Sequence, residues 1–78
     1  MQDDWSIGAA KSLVGAALAA RGEFSEAERV LLDALHDLKA MPAPPRRDIT
    51  DTIVRVVQLY EAQGLPERAG AYRAALMR

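Results

Sequence analysis

One pattern of small and large apolar residues occurs twice along this 78-residue chain, with the two copies offset by a constant 42 positions. The first copy reads Val14-Gly15-x-x-Leu18, Gly22, Phe24, Ala27, Leu31, Ala34. The second reads Val56-Val57-x-x-Tyr60, Gly64, Pro66, Ala69, Arg73, Leu76. Leu18 and Tyr60, Gly22 and Gly64, and Ala27 and Ala69 are each separated by that step. A repeat period of about 20–50 residues belongs to stacks of like supersecondary units, because a single unit cannot bury its apolar face alone. Such stacks present surfaces, so binding is expected before chemistry.

The residues between these anchors are those of four helices. Asp3 or Asp4 is placed to cap the first, and Ile7, Ala10, Val14, Ala17 and Leu18 step by three and four, which is helical spacing. Arg21-Gly22 is expected to close it, with a cation in the last turn and then a residue able to take the left-handed conformation. A second helix starts at Ser25 or the residue before it and carries Ala27, Val30, Leu31, Ala34, Leu35 and Leu38 on a wide apolar face. Met41-Pro42-Ala43-Pro44-Pro45 stops that helix and serves as a semi-rigid spacer. Asp48 or Thr50 is expected to cap the third helix, whose apolar positions are Ile49, Ile53, Val56, Val57 and Tyr60. Its β-branched residues make it depend on packing. Gln63-Gly64 ends it. Pro66 then opens a fourth helix at a favourable first-turn position, with Ala69, Tyr72 and Leu76 inward. The expected fold is all-α, one helical-repeat domain over residues 1–78. The first hairpin spans about 4–41, the proline spacer 42–47 and the second hairpin about 48–78.

Composition narrows the function classes. A net charge of −1 with no basic stripe removes the main handle for nucleic acid. No cysteine is present, which excludes disulfides and thiolate metal sites and fits a reducing compartment. The N-terminus lacks the positive start and apolar stretch of an export signal. The uncharged run Ser12 to Ala20 is much shorter than the roughly 20 residues that cross a bilayer. A cytoplasmic location is expected, with no membrane or nucleic-acid partner.

The repeated positions resemble the tetratricopeptide repeat. The first copy matches at Gly15, Gly22, Phe24, Ala27 and Ala34, with Lys11 where Trp is usual and Leu18 where Tyr is usual. The second keeps Tyr60, Gly64 and Ala69, but has Val57 where Gly is expected and Arg73 where an aromatic is usual. The 42-residue step is longer than the common repeat of about 34, which is similar to the kinesin-light-chain subclass. The segments around DDW, SLVGAALAARGEFSEAERVLLDAL and VQLYEAQGLPERAGAYRAAL resemble the C-terminal repeat region of large bacterial serine/threonine kinases. The resemblance implies a scaffold or docking module within a longer signalling protein. It does not imply catalysis, since the glycine-rich loop, lysine and aspartates of a kinase are absent from the sequence.

The resemblance also implies a peptide-binding concave face lined by the first helix of each hairpin. By position this face comprises Ala9, Ser12, Ala16 and Ala19, with Asp51, Val54, Gln58 and Glu61. Ala16 and Gln58 stand where some relatives carry the asparagines of a clamp for acidic chaperone tails, so such a tail is not the expected ligand. Two repeats also leave apolar residues at both ends, Trp5 and Ile7 at one and Tyr72 to Met77 at the other. Trp5 either caps the first hairpin or anchors a partner. Burial of the Trp5–Ile7 end in a symmetric homodimer is the expectation for the isolated chain. The alternative function is therefore a small helical protein whose role is self-assembly.

Other features have plainer readings. Asp33-x-x-His36-Asp37 lacks the convergent ligands or nucleophile of a metal or catalytic site, so His36 is expected on a solvated face. No catalytic residue, metal or cofactor is expected. Pro42-x-x-Pro45-x-Arg47 has the spacing of a proline-rich ligand but is read as a helix stop.

Overall fold

A computed structural model describes the backbone of residues 4–77 and the side chains of residues 7–77. The chain forms α1 (Asp4–Ala20), α2 (Phe24–Lys39), α3 (Arg46–Ala62) and α4 (Pro66–Leu76). There is no strand among the described residues. α1 pairs antiparallel with α2 and α3 with α4, and the second hairpin stacks on the first mainly through α3 against α2. The cap expected at Asp3 and the role expected of Trp5 lie outside the described residues; Asp4 is already helical.

The two hairpin turns are built alike. In the first, the Glu23 N–H donates to the Leu18 carbonyl at 2.9 Å and the Gly22 N–H to that of Ala19 at 3.0 Å. In the second, the Leu65 N–H donates to Tyr60 at 2.8 Å and the Gly64 N–H to Glu61 at 3.0 Å. Each is the paired capping pattern that satisfies a helix's last carbonyls through a left-handed residue. That residue is Gly22 at φ 78° and Gly64 at φ 74°, where a side chain would be strained. The 42-residue offset is thus reproduced hydrogen bond by hydrogen bond.

The stripe that marks α1 as helical is not the face it buries. Ile7 and Val14 remain 49% and 51% exposed, while Gly8, Ser12 and Gly15 are buried. A Cβ built on Gly15 would lie 2.5 Å from Leu31 Cγ, and one on Gly8 would lie 2.7 Å from Leu38 Cδ2. The α2 leucines therefore rest almost on the α1 backbone, and the apolar surface of this joint comes from α2. Ala27 and Ala34 are also fully buried on α2, and Phe24 packs against the core beside the turn. Lys11 Nζ donates to Asp37 Oδ2 at 2.6 Å across the α1–α2 joint. That bond holds the Lys11 amine above the usual lysine range. Both partners are over a third exposed, so the pair adds little stability.

The core of the stack comprises Ala27, Leu31 and Leu35 from the first hairpin and Ile53, Val56, Val57, Leu59, Tyr60 and Ala69 from the second. Four β-branched residues of α3, Thr52, Ile53, Val56 and Val57, are buried, so packing offsets their weak helix propensity. α3 begins at Arg46, earlier than an Asp48 or Thr50 cap and inside the expected 42–47 spacer. Pro45, at φ −75° and ψ 100°, is the cap residue. Its carbonyl accepts the first helical hydrogen bond, from the Ile49 N–H at 3.0 Å. Proline fits there because its missing N–H would have no partner in any case. Asp48 instead sits in the first turn, where its negative charge favours the helix. Because Arg46 and Arg47 are helical, the segment from Pro42 to Arg47 is not an extended proline-rich ligand.

One expectation follows from this packing. Ala27→Leu inserts volume at a fully buried contact and should cost about 1–3 kcal/mol or more. His36, which is exposed, should change stability by no more than about 0.5 kcal/mol on replacement by alanine. Urea denaturation of both variants checks this; an equal or greater loss for His36→Ala would mean that the buried face of α2 is misplaced.

Candidate functional site

The first helices of the two hairpins form the walls of a shallow groove. Its upper part is a depression of about 120 Å³ lined by Ala9, Ser12 and Leu13 of α1 and Asp48, Asp51, Thr52 and Arg55 of α3. Its lower part, about 260 Å³, is lined by Ala16, Ala19 and Ala20 with Arg55, Gln58, Leu59 and Ala62. Arg55 borders both. Alanine predominates on the α1 wall, so an incoming side chain or helix can approach that backbone closely.

A hydrogen-bonded chain crosses the floor of this groove. Arg55 Nη1 donates to Ser12 Oγ at 2.6 Å. Ser12 Oγ and Thr52 Oγ1 are 2.9 Å apart, and Thr52 Oγ1 is 2.8 Å from the Asp48 carbonyl oxygen. Each hydroxyl has one proton and the carbonyl can only accept. The order is therefore Arg55 to Ser12 to Thr52 to the Asp48 carbonyl. Ser12 and Thr52 are 2% and 0% exposed, and both are satisfied by this chain. The guanidinium is tethered through one of its five N–H groups, which leaves others to meet a carboxylate or carbonyl from a partner. Asp51 is exposed beside it.

The structure brings only part of the expected face together in this groove. Ala9, Ala16, Asp51 and Gln58 line the groove as anticipated. Ser12 is buried under Arg55 and ties the two hairpins together, so it is not open to a partner. Ala19 borders the lower part while packing against the core. Val54 is half-buried and Glu61 is exposed, and neither lines the groove. Glu61 instead pairs with Arg73 of α4. Leu13, Ala20, Arg55 and Ala62 take the groove positions that were missed. The groove residues shared by both hairpins are Ala9 and Asp51, Leu13 and Arg55, Ala16 and Gln58, Ala20 and Ala62, each pair 42 apart. Ser12 and Val54, and likewise Ala19 and Glu61, lie one residue round the helix, on the side facing a following hairpin. Leu13, 60% exposed among the alanines of α1, was the available signal.

Among the described residues, no three His, Asp or Glu side chains converge as a metal site would require, and no helix is long and apolar enough to cross a membrane. His36 stands away from the groove, near Ile7, Ala40 and Pro42. No family model, curated protein or solved structure matches the chain.

Proposed function

We propose that this chain is a non-catalytic protein–protein interaction module of the tetratricopeptide kind, which binds a protein or peptide segment in the α1–α3 groove. The observation that supports this most is the alanine-lined wall carrying the exposed Leu13, opposite an Arg55 already held in place by Ser12. An apolar side chain of the partner covers Leu13, and a carboxylate or backbone carbonyl accepts from Arg55. Fixing the guanidinium beforehand lowers the ordering cost of binding. The similarity to the C-terminal repeats of bacterial serine/threonine kinases suggests a cytoplasmic signalling protein as the setting, with this region as a scaffold.

The test is selection from displayed peptide libraries, both helical and extended, against the immobilised chain. Binders should lose at least about tenfold in affinity, or 1.4 kcal/mol, towards Leu13→Asp and Ala16→Arg, and should be indifferent to His36→Ala. Circular dichroism should show all three variants folded. Failure to enrich binders, or binders indifferent to Leu13 and Ala16, would refute the reading.

A further inference from the structure

The groove is one exposed surface; the two end faces of the stack are another, and they differ in chemistry. Ile7, Ala10 and Val14 of α1, with Val30 of α2, line an apolar furrow of about 420 Å³ on the side of the first hairpin away from the second, flanked by Lys11, Arg29 and Asp33. The internal repeat shows what this face is equivalent to. Ile7, Ala10, Val14 and Ala17 become Ile49, Thr52, Val56 and Leu59 after one 42-residue step. In the second hairpin, Thr52, Val56 and Leu59 are at most 1% exposed, and Ile49 packs against the core. Those residues are closed over by the preceding hairpin.

The opposite end has the reverse character. Ala19 and Leu31, which face the second hairpin in the existing joint, become Glu61 and Arg73 after the same step. These two form an ion pair, each about half exposed. A further hairpin stacked there would have to bury that charged pair, which is costly unless it remains well hydrogen-bonded. Terminal units of stacked repeats carry a polar outer face for this reason. Both ends carry apolar side chains, with Met77 exposed at the α4 end, but the two ends are not equivalent: the counterparts of the joint residues Ala19 and Leu31 there are charged.

We propose that the α1–α2 end face is a docking surface for one more hairpin of the same repeat, stacked ahead of α1 in a longer polypeptide, and that the α3–α4 end face terminates the stack. The docking hairpin presents small residues and leucine as Ser12, Ala19, Ala27 and Leu31 do in the existing joint. This assignment is separate from the groove and its ligand, and its test uses neither.

The experiment extends the full chain in each direction. A copy of residues 4–45 placed ahead of Asp4 keeps the 42-residue register. The extended protein should melt in one transition, about 5 °C or more above the 78-residue chain, a shift of the size a small domain shows for a modest gain in stability. Val14→Arg, and independently Ala10→Glu, should remove most of that gain while moving the melting point of the 78-residue chain by less than about 2 °C. A copy of residues 37–77 appended after Arg78, in the same 42-residue register, should add nothing until Glu61→Ala and Arg73→Leu are introduced together. Separate melting of the upstream copy, or equal stabilisation from both extensions, would overturn the proposal. So would sedimentation showing a dimer of the 78-residue chain abolished by Val14→Arg together with no gain from the upstream copy; that result would assign the face to a second copy.

Discussion

Gly15→Leu should leave the chain largely unfolded at 25 °C, and even Gly15→Ala should destabilise it. Alanine at this position would bring its Cβ to 2.5 Å from Leu31 Cγ and 2.6 Å from Cδ2. Leu31 is wholly buried and cannot swing aside. Exchanging glycine for alanine inside a helix contributes about 1 kcal/mol of propensity, but overpacking costs about 1–3 kcal/mol, so the net sign is unfavourable. Gly8→Ala should behave similarly against Leu38. Gly70→Ala, on α4 with nothing near its added methyl, should stabilise by about 0.5–1 kcal/mol. One substitution thus has opposite signs at three helical glycines. A chain of this size has only about 4–12 kcal/mol of stability to lose, and a leucine at position 15 adds three further carbons to the clash. The clash also predicts coupling: Leu31→Ala alone should cost about 2–5 kcal/mol, and much less when combined with Gly15→Leu. Urea melts of the singles and the double mutant form the cycle. Gly15→Ala as stabilising as Gly70→Ala would show that α1 does not lie against α2 as described.

Tyr60→Ala is the other large expected loss, about 3–5 kcal/mol, by analogy with other buried aromatics. Tyr60 is 3% exposed and joins three helices. Its hydroxyl donates to Glu28 Oε2 of α2 at 2.7 Å. Its ring lies 5.9 Å from that of Tyr72 on α4, and the Arg68 guanidinium sits 5.9 Å from its centroid. Arg68 also reaches Glu28 at 3.6 Å. Burial, followed by the hydrogen bond to Glu28, pushes the phenol up to about 12 from an ordinary 10. The folded state therefore holds this proton more tightly than the unfolded state does. The stability tied to it is complete below pH 10 and falls as pH rises from 10 towards 12. Tyr60→Phe should cost about 0.5–1.5 kcal/mol at pH 7 for the lost hydrogen bond, and should flatten that alkaline decline. Denaturant melts at pH 8, 10 and 11.5 for both proteins measure the difference. An equally steep decline in Tyr60→Phe would place the alkaline sensitivity elsewhere, with Lys11 next, since its raised amine is lost in the same direction.

What was legible in the sequence is the local architecture. The four helices, the glycine turns at 22 and 64 and the proline stop depend on backbone conformations that few residues adopt freely, so residue identity alone decides them. The 42-residue offset likewise carried the hairpin count and the stacking. The start of α3 was read late because Asp48 satisfies the usual preference for a cap, and only the bond from Ile49 to the Pro45 carbonyl shows where helical pairing begins. The buried faces of α2, α3 and α4 were also legible, but the orientation of α1 about its own axis was decided by tertiary structure. On α1 nearly every side chain is small or apolar, so periodicity cannot distinguish a buried face from an exposed one. The contact with α2 went to Gly8 and Gly15 because they admit its leucines closest to the backbone. A rotation of one residue, about 100°, then separates groove from joint. It puts Leu13 and Arg55 at the groove, and Ser12 and Val54 outside its open surface. The same positions can also change role along the stack. Ala19 and Leu31 pack into the joint with the second hairpin, whereas Glu61 and Arg73 at the equivalent sites form an ion pair. Residue spacing specifies which positions are equivalent, and only packing determines which of them has a neighbour.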